Sequence, residues 1–344
     1  MKVILHLLSL TLLLLSCRSP KDIDTYLSQL HADGKYNGTI LVIQHDSVLY
    51  ERAFGYADGA RTVRLTGEHQ FAIGSIYKEF PAVAIMQLQE QGLLSLDDKL
   101  SAYMPQLPGW ADKITVRHLF QYASGLPKID WNAYFEKGIK VNEDQIVESL
   151  ANLERLESEP GTDYIYSNYN PFLLMHIVER LSGMSFKAYV EQHIIQRHGL
   201  EGLVVKEAYP FEGAPLIAQP FDEDYKVDDY EAEVTTVCSS AQGMYQWFSQ
   251  LDHFKVVSRE SMQQLSQEIF PGEDSQSPLG QCDWEKGEMV QHFHHGNSQN
   301  YECLVRHYKQ EGLMIILMTN QEHENLYDIA DDIYAIAQRK QAKL

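Results

Sequence analysis

The sequence predicts an α+β fold in which a sheet is completed by both ends of the chain and a helical lobe is inserted between them. Three observations carry this. β-rich runs stand early, at Gly38–Gln44 and Val48–Phe54, and three more close the chain, at Met289–His294, Tyr301–Tyr308 and Leu313–Asn320. Between them, from Ile114 to about Tyr230, the apolar spacing turns helical with polar loops and no alternating strands. At 344 residues the chain can bury a large core, with a sheet lobe over about 22–113 and 235–344 and a helical lobe over about 114–234.

Met1-Lys2, the apolar run Val3–Leu15 and Ser16-Cys17 give a positive start, an apolar stretch too short to span a bilayer, and a small residue before a cysteine. This predicts an export signal over residues 1–16. Leu14-Leu15-Ser16-Cys17 resembles a bacterial lipoprotein box, which implies cleavage before Cys17 and lipid modification of that cysteine; an ordinary signal peptide with an incidental Cys17 is the other reading. No later apolar run approaches membrane length, so the mature chain, 17–344, is expected to meet a membrane only through a lipid anchor.

Residues Pro20–His31 read as a linker feeding a helix with Ile23, Tyr26, Leu27 and Leu30 on one side. His45-Asp46-Ser47 between the first two strands is a hairpin signal, and Gly55–Gly59 closes the second strand. A glycine-punctuated segment then enters an amphipathic helix toward Gly92, with Pro81 inside it as a threat to straightness, and Gly92–Lys99 ends that helix and starts another. In the helical region the spacing predicts Val116–Tyr122, Glu143–Leu153, Asn170–Leu181 and Phe186–Arg197. The acidic run Asp222–Glu233 lacks the glycine and ligand spacing of a calcium loop and reads as a solvated linker. A last helix over about Leu326–Gln338 carries Ile329, Ile333, Ile336 and Ala337 on one face.

A formal charge of -20 leaves no basic face broad enough to neutralise phosphates, which argues against nucleic acid as a partner. Cys238, Cys282 and Cys303 show no paired C-x-x-C spacing, so they predict no zinc site; at most one disulfide could join two of them, and the sequence does not say which.

Chemistry concentrates in three places. Ser75 and Lys78 are three residues apart at a helix start, so hydroxyl and amine share a face, a nucleophile beside a base. Tyr166 and Asn168 stand two apart on a turn that leads into a helix, which lets both point into a cleft. His294-His295-Gly296 ends a predicted strand, where the glycine lets a substrate backbone approach the strand edge. His292 and His294 share a strand face; surface histidines or a metal site are the alternatives, and no aspartate-rich motif accompanies them.

The ordered set Ser-x-x-Lys, Tyr-x-Asn and His-x-Gly, with Leu94–Lys99, Ile114–Phe120, Ser124-Gly-Leu-Pro127 and Met318-Thr-Asn320, resembles the β-lactamase-related serine hydrolases. That family comprises class C β-lactamases, D-alanyl-D-alanine carboxypeptidases of the same fold, and esterase relatives. The resemblance implies an antiparallel sheet flanked by helices, with the active-site cleft between sheet and helical lobe, and it implies no cofactor or metal. Carried over by motif, Ser75 becomes the acylated nucleophile, Lys78 and Tyr166 the proton-transfer pair, and Asn168 a hydrogen-bonding support. His294 takes the place of a lysine in the family's Lys-Thr-Gly strand, ahead of Gly296, and the backbone N–H groups of Ser75 and Asn297 become the oxyanion donors.

Two segments depart from the family pattern: Gln121-Tyr-Ala-Ser124, and Asn297-Ser-Gln-Asn-Tyr301 where relatives continue with glycines. The resulting expectation is an exported hydrolase of an ester or amide, with a D-amino-acid peptide or small ester as substrate; the alternative is a non-catalytic binding or sensor lipoprotein on the same fold. A neutral histidine at 294 still donates a hydrogen bond but gives up the charge on which carboxylate recognition depends, so uncharged substrates are expected to be preferred.

Overall fold

A six-stranded sheet, entirely antiparallel, is built from both ends of the chain in the order β2-β1-β11-β10-β9-β8. Its strands are β1 (Gly38–Gln44), β2 (Ser47–Phe54), β8 (Gln281–Glu285), β9 (Glu288–Ser298), β10 (Tyr301–Tyr308) and β11 (Leu313–Thr319). The computed structural model describes residues 22–131, 134, 140–270, 275–321 and 325–341; Cys17 and the expected export signal lie outside them. Among the described residues no helix is long and apolar enough to cross a membrane.

The hairpin forecast at His45 is a two-residue turn. His45 and Asp46 both take positive φ, 48° and 59°, the mirror-image turn whose twist matches that of the strands it joins. β1 and β11 are apolar along their length because both sheet faces are covered. Ile40, Val42, Ile315 and Leu317 point toward the terminal helices Ile23–Ala32 and Leu326–Gln341, where Leu27, Ile329 and Ile333 meet them. Leu41, Ile43, Met314 and Ile316 point the other way, into the larger core shared with Met244, Trp247 and Phe248 of the helix Ala241–Asp252.

Against that second face lies the segment holding Ser75. It differs from the single amphipathic helix expected: Gly74–Lys78 is a 3₁₀ turn that runs into the α-helix Glu79–Glu90. Every residue from Glu79 to Leu88 is buried, so this helix is enclosed by protein and has no solvent face in that stretch. Pro81 does no harm, because it sits in the first turn, where a backbone N–H has no intrahelical acceptor to lose.

The inserted region contains the helices Val116–Phe120, Glu143–Ser149 and Tyr169–Ser182, and Phe186–Tyr189 continued as a π-helical turn to Gln196. Short strands that the apolar pattern does not announce lie in this region and beside it. β5 (Leu203–Lys206), within it, pairs with β7 (Thr236–Ser239), which also pairs with β3 (Phe71–Ala72), in a three-stranded antiparallel sheet, and β4 (Val141–Asn142) pairs in parallel with β6 (Ala232–Glu233). The acidic run keeps most of its carboxylates exposed, as expected of a solvated segment, but it is anchored where a free linker would not be. Asp228 accepts from the Asn300 amide at 2.5 Å, Asp222 closes a turn by accepting from the N–H groups of Asp224 and Lys226, and Ala232 is buried. Cys238, Cys282 and Cys303 are all free thiols, the first and last buried.

Candidate active site

Ser75 is the second residue of the 3₁₀ turn that Gly74 opens, and the backbone at this point is pressed against β9. Gly74 takes φ +54°, and a Cβ there would stand 2.3 Å from the Asn297 nitrogen. A Cβ at Gly296 would lie 2.2 Å from the Ile73 carbonyl oxygen and 2.6 Å from the Ser75 nitrogen. Only two glycines facing each other allow this approach, and it sets the N–H groups of Ser75 and Asn297 side by side at the cleft.

One turn further on, Lys78 is buried, and its Nζ donates to Ser75 Oγ at 3.0 Å and to the Tyr166 hydroxyl at 2.7 Å. Tyr166 reaches this position because its loop is tied to the Ser124–Pro127 turn. The Ile165 N–H donates to the Tyr122 carbonyl at 2.9 Å, Ser167 Oγ to the Pro127 carbonyl at 2.5 Å, and Ser124 Oγ to Asn170 Oδ1 at 2.6 Å. Tyr122, in the segment that departs from the family pattern, takes φ +54° and places its ring 4.8 Å from that of Tyr166. The departure thus supplies the wall behind the tyrosine. Asn168 lines the same cleft, and its Oδ1 has no hydrogen-bond partner among the described residues.

Two concavities meet at Ser75 and Tyr166. One, of about 300 Å³, is bordered by Ser275, Gln276, Gln281, His294 and His295. The other, of about 450 Å³, is bordered by Tyr77, Trp131, Phe172, Tyr230 and Val234. Between them runs the edge of β9: its pairing with β8 stops at Phe293, so residues 294–298 have no strand neighbour on that side. The bulky sequence 297–301 does not close this edge. Gln299 and Asn300 form the turn into β10, Asn300 is turned to Asp228, and Tyr301 is buried with its hydroxyl on the Ala218 carbonyl.

His294 and His292 are neither surface residues nor a metal pair; among the described residues no cluster of metal-ligating side chains occurs. Both are buried against carboxylates. His294 Nδ1 lies 2.5 Å from Glu79 Oε1, while Trp247 Nε1 donates to Glu79 Oε2 at 2.5 Å. His292 Nδ1 lies 2.8 Å from Asp252 Oδ1, and its Nε2 is 3.1 Å from the Leu279 carbonyl and 3.8 Å from Glu79 Oε1. His307 Nδ1 takes the other Asp252 oxygen at 2.5 Å. His292 Nδ1 faces the Asp252 carboxylate and Nε2 the Leu279 carbonyl, acceptors that favour a proton on each nitrogen and so the imidazolium, with the Cys282 thiol as a further neighbour.

The ionisation behaviour follows. Burial opposes charge on His292, but Cys282 and Asp252 outweigh it and hold the group well above the usual histidine range. Burial would likewise raise Glu79, yet His292 and His294 pull it below the ordinary carboxylate value. For His294 burial prevails, helped by the positive His292 and Lys78 and opposed by Glu79, and its pKa is lowered. The neutral histidine expected from the sequence is thus more firmly neutral than an exposed one.

The chain matches the family described as Beta-lactamase over residues 23–340. The chain belongs to the Beta-lactamase family. Among curated proteins it is 28% identical over 340 residues to penicillin-binding protein 4* of Bacillus subtilis (strain 168), covering 90% of this chain and 74% of that one. Among solved structures, a penicillin binding protein from Bacillus halodurans superposes with a TM-score of 0.78 at 23% identity, over 90% of this chain and 99% of the other. D-amino acid amidase from Ochrobactrum anthropi SV3 does so with 0.74 at 17% identity, over 93% and 98%. For this Beta-lactamase family member the fold class expected from the sequence stands, and the family is one of serine hydrolases.

Within that frame the site contains residues that motif reading missed: Glu79, Trp247, Asp252 and Gly280. A Cβ at Gly280 would stand 2.8 Å from His294 Cγ, so that glycine lets the imidazole lie against the β8 approach. Glu79 had a signal. It stands directly before the apolar stretch Phe80–Met86, in a helix buried all round, and a buried carboxylate demands partners.

Proposed function

We propose that this protein is an exported serine hydrolase that cleaves an ester or amide bond through an acyl-enzyme on Ser75. One observation carries the reading: the buried Lys78 Nζ is within hydrogen-bond reach of both the candidate nucleophile and the Tyr166 hydroxyl. In the reaction, the Lys78–Tyr166 pair enters one proton short, as amine beside phenol or ammonium beside phenolate, and Ser75 Oγ attacks the carbonyl carbon as its proton passes to that pair. The negative oxygen is held by the Ser75 and Asn297 N–H groups. Collapse breaks the bond to the leaving alcohol or amine, which takes the proton back from the pair, and water then attacks the acyl-enzyme by the same route in reverse.

The relatives named above bind penicillin or hydrolyse D-amino acid amides by their printed names, which supports small esters or D-amino-acid amides and peptides as candidate substrates. The lowered pKa of His294 favours substrates uncharged at that end over carboxylates. The Met1–Cys17 segment supports export with anchoring through Cys17 in a bacterial envelope. The test is rapid-quench kinetics with an activated ester. A burst of alcohol equal to the enzyme concentration, absent from Ser75→Ala, is expected; a burst retained by Ser75→Ala would remove Ser75 from the mechanism.

A further inference from the structure

The hydrolase reading leaves open what His294 offers to a substrate, and the atoms behind it decide this. Glu79 is fully buried and ionised: Oε2 accepts from Trp247 Nε1, and Oε1 has the His292 imidazolium 3.8 Å away. An ionised carboxylate can only accept, so the short contact to His294 requires the proton on Nδ1. A neutral ring then carries no proton on Nε2. That nitrogen has no partner among the described residues, and the ring borders the 300 Å³ concavity beside Ser75 and Tyr166.

We propose that Glu79 is a positioning residue that fixes His294 as its Nδ1–H tautomer, so that the cleft presents a hydrogen-bond acceptor and selects substrates bearing a donor there. The group selected is a primary amide, ammonium or hydroxyl, and a carboxylate is refused. This rests on the hydrolase reading of the same site, and it reverses the expectation that a neutral imidazole donates to the substrate: its one N–H is already committed to Glu79.

Glu79→Gln provides an unusually directional test because of Trp247. The indole N–H can only donate, and at 2.5 Å it lies far closer to its oxygen than His292 Nε2 lies to the other, at 3.8 Å, so the new amide oxygen is expected to face Trp247 and the amide NH₂ His294 Nδ1. The imidazole is then driven to the Nε2–H tautomer, and the cleft presents a donor in place of an acceptor. Adding Trp247→Phe keeps the ring that stacks 4.3 Å from Phe80 but removes the indole donor, so the amide is free to turn back and the Nδ1–H tautomer returns.

The experiment combines ¹⁵N-histidine NMR near neutral pH with a matched pair of ester substrates, one ending in a carboxylate and one in its isosteric primary amide. Wild type is expected to show Nε2 as the unprotonated nitrogen and to prefer the amide by about tenfold in kcat/KM, the effect of one satisfied hydrogen bond. Glu79→Gln is expected to exchange the two nitrogen signals and shift the preference toward the carboxylate by about tenfold, since both substrates can then accept from Nε2–H, and the double variant Glu79→Gln/Trp247→Phe to shift both back toward wild type. A wild-type Nε2–H tautomer, a wild-type preference for the carboxylate, or exchanged signals with an unchanged preference would each overturn the proposal. The wild-type measurements decide even if Glu79→Gln fails to fold. Binding of the same pair to Ser75→Ala reads the preference without turnover, so a failed hydrolase reading, seen as no burst with any ester, stays separate from a failed tautomer assignment.

Discussion

The two concavities that meet at Ser75 are built on opposite principles. The smaller one is bordered by amides, hydroxyls and imidazoles, and behind His294 it rests on buried charge, Glu79, His292 and Asp252 in a continuous line of contacts. The larger one adds a wall of aromatic and aliphatic side chains, Tyr77, Trp131, Phe172, Tyr230 and Val234, to the polar groups it shares along the serine, Lys78, Asn168 and Asn297 among them. One side reads hydrogen bonds and the other reads shape and apolar area. A substrate lying across the serine would therefore have its two halves judged by different physics: polar mismatches are costly because buried partners go unpaired, whereas apolar mismatches change affinity gradually with area.

The sharpest way to break this division is to remove what both sides share. Ser75→Ala is expected to abolish turnover of every substrate while leaving the melting temperature unchanged, since only a hydroxyl is lost; activity surviving on one substrate class would mean that the two sides do not serve a common nucleophile. Lys78→Ala and Tyr166→Phe should each lower kcat on the order of 10²- to 10⁴-fold for all substrates. Their double variant should be no worse than the weaker single one, because the two groups move one proton.

Asp252→Asn acts on the polar side alone. It takes from the His292 imidazolium the nearer of its two counter-charges, leaving Glu79 at 3.8 Å, and is expected to destabilise the fold by about 3 kcal/mol in urea unfolding. The pH dependence has a definite sign. His292 is raised above its unfolded value, so its contribution is complete below about pH 6.5 and is lost as pH rises through the folded value. Asp252→Asn should flatten that alkaline decline. Trp131→Ala acts on the apolar side alone: kcat/KM for esters with bulky apolar acyl groups should fall by roughly tenfold, the effect of lost apolar contact, with the amide-over-carboxylate preference untouched. A change in that preference would show that the two concavities are coupled.

How far the sequence reveals this arrangement differs between the two regions. Ser75, Lys78 and Tyr166 are legible because their residue types and spacing are required by the chemistry, and the apolar strands β1, β10 and β11 are legible because burial on a sheet imposes a local pattern. β8 is not, since an edge strand with alternate residues exposed carries little apolar signal. β5 is four residues long and is specified by its pairing with β7, which lies far along the chain. The support of His294 is the least legible of all: Glu79, the helix that carries both Trp247 and Asp252, and Gly280 are three separate segments that meet only in the folded core. The histidine pair at 292 and 294 was visible as sharing a face, but what that face met could not be read from the strand itself.

The account stands most directly on Ser75 as the group that becomes acylated. The measurement is peptide-level mass spectrometry of the purified mature protein after reaction with a fluorophosphonate. A single covalent adduct on Ser75, slowed in Lys78→Ala and absent in Ser75→Ala, is predicted; an adduct on another residue, or none while ester turnover persists, would contradict it.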